Sequence, residues 1–375
     1  MKYSFALIVS LICPNVQYAQ DKQNMFNPVN YSVTSLAIPT DASSTALGDN
    51  GVATPPNLFS QHWNPAKYAF VSTRAAVGHS YTPWLRTLVN DIHKINTIGY
   101  VNWRKSTISA SGSFFNLGEV YLDMSDDAMT IRPKEYYFDI AYSHRINSCF
   151  SLALAARYIR SDITYDYTAE SKPGNAVAFD IAEYYQKGYP WGGIAAGGVI
   201  KNIGTKLSYG SDDNSEFIPT DLSLGAGIML NLHPLHRLGL FFQADKLLVP
   251  TYPMQKRNEP DEEYTDRVQR DYYDLSSIKG IFKSFSDAPD GFKEEVHEIT
   301  CAIGVEYFLI NHILFRSGYH YEHVNKGNRK YVTFGLGLTF KPIDANISYV
   351  ISTVKSNPLD KTFHLDIAVK IPPYY

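Results

Sequence analysis

The stretch Asp41–Phe70, DASSTALGDNGVATPPNLFSQHWNPAKYAF, decides the fold of this chain. It is rich in Gly, Ala, Pro and Asn, it ends in bulky apolar residues, and it has neither a helical period nor the alternation of a strand. We therefore expect a compact, irregular segment that packs against another part of the molecule. From Val71 to Ile371 the chain alternates aromatic and polar residues, which predicts that the segment is a plug, or hatch, inside a β-barrel.

A period of two runs through the rest of the chain. Apolar and polar residues alternate in Leu222–Leu232, Ala345–Ile351 and Phe363–Ile371, so that one face of each strand is apolar and the other polar. Gly225 and Gly335 fall on the polar face, where they leave room for a plug or a ligand. With a boundary error of a few residues, the predicted strands are residues 71–82, 93–104, 107–116, 135–146, 149–160, 176–187, 190–202, 220–232, 237–249, 297–309, 312–323, 329–340, 343–353 and 361–371.

The gaps between these strands alternate between tight and long. Lys105-Ser106 and Asn147-Ser148 are tight, whereas Asn116–Lys134 and Pro250–Val296 are long. Outer-membrane barrels place short turns on the periplasmic side and long loops outside, and they have an even number of strands. A soluble β-sandwich requires no such regularity. We therefore predict an all-β, transmembrane antiparallel barrel of about 14 strands in the outer membrane.

Composition agrees with an exported barrel. Aromatic residues make up 14% of the chain, with 28 Tyr, and such rings form the girdles of outer-membrane barrels. No run approaches the ~20 consecutive apolar residues of a spanning helix, which excludes a helical membrane protein. The net charge of −3 gives no indication of nucleic-acid binding. Cys149 and Cys301 lie far apart in strand-like runs, so we expect no disulfide framework.

The amino terminus has the order of a secretory signal. Met1–Ala19 contains one cation, Lys2, followed by the apolar run Phe5–Cys13 and a polar stretch. Cleavage is expected after Ala19. The predicted organisation is thus a signal peptide, an N-terminal segment with the hatch over residues 20–70, and a barrel over residues 71–375.

The connection Pro250–Val296 is too long to be a simple turn. Within it Ile278, Ile281, Phe282 and Phe285 fall at helical spacing, which predicts an amphipathic helix on the extracellular side. Its apolar side either forms a docking surface for a partner or folds down to cap the barrel mouth. The residues leave both interpretations open.

Four residues on the polar face of neighbouring strands form a group: Glu306, Arg316, His320 and Glu322. We interpret them as a structural ion-pair network in the barrel lumen, because such networks are more frequent there than catalytic clusters. No catalytic residue and no metal site is predicted. His297 with Glu298, and His320 with His323, lack the third and fourth ligands of a zinc site.

Several motifs carry a family resemblance. Residues 48–70, GDNGVATPPNLFSQHWNPAKYAF, resemble the plug region of FadL-like outer-membrane proteins, in which an Asn-Pro-Ala motif, here Asn64-Pro65-Ala66, ends the hatch. Trp63 is expected to anchor the hatch, while Asn64 and Pro65 set a turn. More narrowly, SQHWNPAKYAF, GIFKSFSDAPDGFKEE and KGNRKYVTFGLG resemble the PorV family, the outer-membrane components of the type IX secretion system of Bacteroidetes.

The resemblance implies a fourteen-stranded FadL-like barrel that acts in protein transport without cofactors or chemistry. The implied partners are a SprA-type translocon, secreted cargo with a C-terminal signal domain, a PorU-type attachment complex, and outer-membrane lipid or lipopolysaccharide. A folded domain cannot pass a plugged barrel of this size, so cargo is expected to bind at the outer loops. The candidate contacts are Ile281, Phe282, Phe285 and Phe292.

Two other function classes are compatible with such a barrel. The first is a FadL-type channel for the uptake of hydrophobic small molecules, which requires a continuous apolar path past the hatch. The second is an enzyme that acts on lipopolysaccharide, but no residue constellation supports it. We therefore expect a non-enzymatic secretion component.

Overall fold

The computed structural model describes residues 26–124, 127–163, 172–210, 214–256, 258–355 and 357–372. The predicted signal peptide, residues 1–19, lies outside these ranges. In chain order the strands are β1 (Ala75–Pro83), β2 (His93–Trp103), β3 (Ser106–Asn116), β4 (Val120–Met124), β5 (Asp127–Ile131), β6 (Lys134–Arg145), β7 (Phe150–Asp162), β8 (Gly174–Tyr189), β9 (Gly192–Gly204), β10 (Asp221–His233), β11 (His236–Leu247), β12 (Ile299–Leu309), β13 (Ile313–Tyr321), β14 (Lys330–Phe340), β15 (Ile343–Ser352) and β16 (Phe363–Ile371).

Fourteen of the strands in the described ranges close into one antiparallel barrel. Each barrel strand pairs with the next barrel strand along the chain, so that β3 pairs with β6, and the barrel closes where β1 pairs with β16, with Ala75 opposite Ile371. The predicted architecture and strand number are therefore confirmed. The hairpin β4–β5 was not predicted, and it lies in the loop between β3 and β6, outside the barrel sheet.

The alternation of the sequence appears as two faces of the barrel wall. In β8, Val177, Phe179 and Ile181 point outward, whereas Ala178 and Asp180 between them are buried in the lumen. An outer-membrane barrel presents its apolar face to lipid and encloses its polar face. The outer surface of the barrel is thus apolar and its lumen is polar, whereas a soluble protein has an apolar interior and a polar surface.

The N-terminal segment runs through the barrel from one end to the other. Near its start, the backbone N–H of Asn27 donates to Asn325 O in the outer loop between β13 and β14 (2.7 Å). At its other end Phe70 leads to Arg74, whose N–H donates to Ile371 O beside the tight turns (3.0 Å). Because long loops lie outside and short turns face the periplasm, the segment descends from the extracellular to the periplasmic end.

Short helices occur in the hatch and in the long loop, and none of those in the described residues is long and apolar enough to cross a membrane. Asp41 caps the first helix by accepting a hydrogen bond from the Ser44 N–H, and Ser276 caps a loop helix by accepting from Lys279. The N-terminal segment contains a 3₁₀ turn (Thr34–Ala37), α1 (Ala42–Thr45), α2 (Ser60–Trp63) and a second 3₁₀ turn (Pro65–Phe70); the long loop contains α3 (Asp261–Val268), a π-helical turn (Gln269–Tyr273), α4 (Ser277–Lys283) and α5 (Phe292–His297).

Candidate functional site

Trp63 connects the two helices of the hatch. Its indole lies buried and Nε1–H donates to Asp41 Oδ1 at 2.6 Å, which ties the end of α2 to the cap of α1. The same carboxylate accepts from the backbone of Ser44 at 2.8 Å. A buried carboxylate with several donors is stable only while those donors remain. One side chain therefore joins the two ends of the predicted plug segment.

The Asn-Pro-Ala motif joins the hatch to the wall. Asn64 Oδ1 accepts from the Ala66 N–H at 3.0 Å and so caps the turn that begins at Pro65. Its Nδ2 donates to Val52 O (3.2 Å) within the hatch and to Glu183 O (2.8 Å) on β8. Ala66 is fully buried. The carbonyl oxygen of the Asn64 side chain thus caps a turn of the hatch, and its amino group connects the hatch to the barrel wall.

Polar wall residues hold the hatch on all sides of the lumen. Gln243 Oε1 on β11 accepts from two successive hatch N–H groups, those of Gly51 and Val52, at 2.9 and 3.0 Å. Buried backbone groups outside regular structure need such partners. Other wall groups that bond the N-terminal segment are Lys94 on β2, Asp139 on β6, Ser151 on β7, Thr333 on β14 and Asp366 on β16.

Glycines let the hatch touch the wall. A Cβ added at Gly318 would lie 2.0 Å from the backbone carbon of Leu47 and 2.1 Å from the nitrogen of Gly48. One added at Gly335 would lie 2.3 Å from Ala46 Cβ. At this distance nothing larger than hydrogen fits. The room predicted on the polar strand faces at Gly225 and Gly335 is occupied by the hatch.

The four lumen residues predicted as one network fall into separate groups. Arg316 Nε pairs with Glu306 Oε2 at 2.6 Å, and its Nη1 donates to Asn346 at 2.8 Å. Glu322 pairs with Arg329 at 2.9 Å near the outer end of the barrel. His320 joins neither pair: its Nδ1 lies 3.2 Å from Gly48 O and its ring stacks on Tyr331. Each group is placed to support the wall or the hatch. The partners Arg329 and Asn346 were missed because strand register cannot be fixed from one sequence.

One side of the long loop folds down on the barrel. Tyr272 is fully buried and packs at 5.2 Å from the ring of Phe217 in the loop between β9 and β10. Lys206 lies over Phe217 at 4.3 Å and donates to the carbonyl of Tyr273. The backbone of Gly280 in α4 approaches Phe217 as well. This side of the loop caps the barrel mouth, which is one of the two predicted arrangements.

The other side of the loop is uncovered. Phe282 is 73% exposed, Phe292 83% and Phe285 49%, whereas Ile281 is half-buried. Exposure of several large apolar side chains on one loop is unusual for a surface without a partner. The covered side agrees with the capping arrangement, and docking on the uncovered side stays a prediction. Among the four predicted contacts, the three phenylalanines are available to a partner.

A charged cluster clamps the base of the loop. Lys246 on β11 pairs with Glu298 at 2.6 Å and with Glu295 at 3.0 Å, and Lys326 pairs with Glu298 at 3.0 Å and Glu294 at 2.6 Å. Burial beneath the loop, with the nearby Glu298 and Glu295, raises the pKa of Asp287 to about 6, although its bond from the Thr251 N–H partly opposes this. The clamp was not predicted from the sequence, because its members come from β11, from the long loop and its end, and from the loop between β13 and β14.

Metal binding finds no support in this region. Within the described ranges no group of three or more His, Cys, Asp and Glu side chains has an arrangement that would hold a metal ion. His297 and His323, considered above as zinc ligands, stack face to face with ring centroids 3.6 Å apart.

Solved structures that are similar to this one include a hydrocarbon transporter and a hydrocarbon channel. The chain is similar to the P. putida toluene transporter TodX, with a TM-score of 0.54, 9% identity, and coverage of 91% of this chain and 100% of TodX. It is also similar to the CymD monoaromatic hydrocarbon channel, with a TM-score of 0.50, 10% identity, and coverage of 92% and 100%. At such low identity the likeness shows the fold alone. No curated protein matches the chain in sequence.

A family model identifies the relationship more closely. Residues 18–254 match the model described as type IX secretion system protein PorV. The match covers the hatch, the barrel from β1 to β11 and the start of the long loop. A closed, hatch-filled barrel is consistent with that match, and together they place the protein in the outer membrane. The chain therefore belongs to the PorV family of type IX secretion system proteins.

Proposed function

We propose that this protein receives secreted cargo carrying a C-terminal signal domain from a SprA-type translocon and delivers it to a PorU-type attachment complex at the cell surface. The observation that supports this proposal best is the uncovered apolar side of the long loop, formed by Phe282, Phe285 and Phe292. It lies at the extracellular end of a barrel whose family works in type IX secretion. Family membership rests on the sequence match, whereas the cargo contacts and the partners are our proposal.

Binding outside the barrel follows from the state of the lumen. Hydrogen bonds from several wall strands hold the hatch, and glycine backbones contact it directly. A folded cargo domain has no route through such a lumen. Exposed aromatic side chains on a clamped loop offer the kind of anchor that dominates protein interfaces. We assign no enzymatic step to the protein.

The test is recovery of cargo with a double variant, Phe282→Ser with Phe292→Ser. Both side chains are mostly exposed, so the fold should survive the change, while the proposed contact loses its two most exposed aromatic side chains. We expect cargo recovered from native membranes to fall at least about tenfold, since hot-spot aromatics contribute about 2 kcal/mol or more each.

Tyr121→Ser provides the matched control. Tyr121 is 74% exposed in the β4–β5 hairpin, on another outer loop. Its loss should leave cargo recovery at the wild-type level. Undiminished recovery with the double variant would refute the proposed contact, and an equal loss with Tyr121→Ser would show that the effect is not specific to the long loop.

Uptake of hydrophobic small molecules remains the competing function for a FadL-like barrel. It predicts a lone barrel with bound lipid-like ligand after gentle extraction, whereas the secretion proposal predicts co-purification of a large translocon or signal-domain cargo. The same pull-down from native membranes therefore separates the two functions.

A further inference from the structure

The periplasmic end of the barrel carries a marked excess of positive charge. We use the name short-turn rim for the tight turns and adjoining strand ends opposite the long loops. Arg104 and Lys105 form the turn between β2 and β3, Lys187 lies near the end of β8, and Lys341 begins the turn between β14 and β15; all four are exposed. The carboxylate of Asp344 is half-buried and already paired with Lys370.

These cations are spread around the rim. In the closed barrel, β2–β3, β8–β9 and β14–β15 are separated from one another by intervening strands. Arg145, at the end of β6, adds a half-buried cation that lies over the ring of Phe70, where the hatch leaves the lumen. A docking patch for one protein would be expected to concentrate charge on one side. A ring of charge fits a partner that surrounds the barrel.

Aromatic residues mark the depth of this ring in the membrane. Trp103 is 56% exposed at the end of β2, directly before Arg104. Trp191 is 46% exposed and stacks on Tyr189, whose ring also lies 5.4 Å from the Lys187 ammonium. Exposed Trp and Tyr at strand ends sit at the level of the lipid headgroups. The exposed cations beside them are therefore within reach of phosphate groups.

We propose that the short-turn rim binds the phosphate headgroups of anionic phospholipids in the periplasmic leaflet of the outer membrane. Lys and Arg near a membrane surface attract anionic lipids, and the attraction is screened by salt. The long loop at the other end has the opposite balance, because Pro250–Val296 contains more carboxylates than cations. Charge thus distinguishes the two ends, and the rim selects the lipids next to it.

Lipid selection by the purified protein tests this inference. We would reconstitute the full chain in bilayers of equal phosphatidylglycerol and phosphatidylcholine, extract it gently, and count bound lipids of each kind by native mass spectrometry. The wild type should enrich phosphatidylglycerol several-fold at about 0.05 M salt and lose most of that enrichment at about 0.5 M. The variant Arg104→Gln, Lys105→Gln, Lys187→Gln, Lys341→Gln should bind the two lipids nearly equally.

A second quadruple variant removes the same charge from the outer loops. Lys172, Lys256, Lys355 and Lys361 are exposed there, and their replacement by Gln should leave lipid selection at the wild-type level. Heat-modifiable migration on gels establishes that each variant is folded. Absence of a preference in the wild type, an undiminished preference in the rim variant, or an equal loss in the outer-loop variant would each overturn the proposal. Absence of a lipid preference in the wild type would instead favour an acidic periplasmic protein as the partner of the rim.

Discussion

At the scale of single residues, the close contact between hatch and wall depends on glycines, which have no Cβ atom. Gly318 on β13 faces the Leu47–Gly48 peptide so closely that a methyl group would meet backbone, which cannot rotate away as a side chain does. Gly112 on β3 lies on the outward face, where an added Cβ would be 3.7 Å from Phe138. The two glycines therefore form a natural pair for measuring contact with the hatch.

Replacement of Gly318 by Ala should destabilise the protein. The hatch must shift to accept the methyl group, and overpacking of this kind costs about 1–3 kcal/mol. Urea titration of the reconstituted barrel measures the change in unfolding free energy. Gly112→Ala, with ordinary contact distances, should stay within about 0.5 kcal/mol of the wild type. Equal stability of the two variants would contradict the close hatch contact.

Trp63→Phe should also destabilise the hatch, for a different reason. The ring stays apolar, but Asp41 loses the indole N–H that lies 2.6 Å away in a buried site. Loss of one donor to a buried carboxylate costs about 1.5–3 kcal/mol. The temperature at which heat-modifiable migration is lost should fall for this variant. Trp191→Phe at the exposed rim is the control, and a similar drop there would point to a general effect of losing Trp.

At the scale of elements, the long loop is amphipathic in the structure as well as in the sequence pattern. Its helices bury Tyr272 against Phe217, while Phe282 and Phe292 face outward. The loop is fixed at its base by Lys246 and Lys326, which share Glu298. The proposed docking surface would benefit from such preorganisation, because less conformational freedom is lost on binding.

The loop should be more stable at mildly acidic pH. The pKa of Asp287 is raised to about 6, above the value of about 3.9 for an unfolded chain, so the folded loop holds the proton more tightly. The resulting stabilisation is present at low pH and is lost as the pH rises from about 4 through about 6. Hydrogen exchange of residues 250–296 should be slower at about pH 5 than at about pH 7.5, once the intrinsic rate is corrected.

Asp287→Asn removes the titrating group from this site. The corrected protection of the variant should then be nearly the same at both pH values. Asp290→Asn, an exposed carboxylate on the same loop, should retain the wild-type pH dependence. A pH dependence that survives Asp287→Asn would assign it to another group of the loop.

Sequence reasoning reached the elements more easily than their contacts. Alternation identified the barrel strands because one face meets lipid and the other the lumen, and a run such as Phe363–Ile371 shows this directly. The hairpin β4–β5 was missed because a short strand pair in a loop has no such two-sided environment. Pairs such as Glu322 with Arg329 depend on register and loop path, which no local pattern encodes.

At the scale of the whole molecule, the barrel is a wall built around its own N-terminal segment. Its polar lumen groups, such as Gln243 and Asp366, find their partners in the hatch. Family membership, the closed topology and the exposed loop are compatible with the proposed function, in which cargo is bound at the outer end. The wall supports that end and isolates it from the periplasm.

Deletion of residues 41–66 should turn the closed barrel into an open pore. Barrels of 16–18 strands leave an aqueous channel, and a fourteen-stranded barrel without its hatch approaches that size. Single-channel recordings in planar bilayers should show a large increase in conductance relative to the wild type. The loop variant Phe282→Ser should conduct as the wild type does, and an unchanged current after the deletion would show that other residues close the lumen.

The path of the N-terminal segment gives the outer loops a mechanical link to the interior. Asn27 is bonded to Asn325 and to Glu294 of the long loop, and Ser32 is bonded to Phe217, while the same continuous chain becomes the hatch a few residues later. A partner that displaces the long loop must either break the bond between Asn27 and Glu294 or pull on the segment that this bond holds. Force that a partner applies to the long loop at the cell surface would thus be transmitted to the hatch inside the barrel, which the partner does not contact.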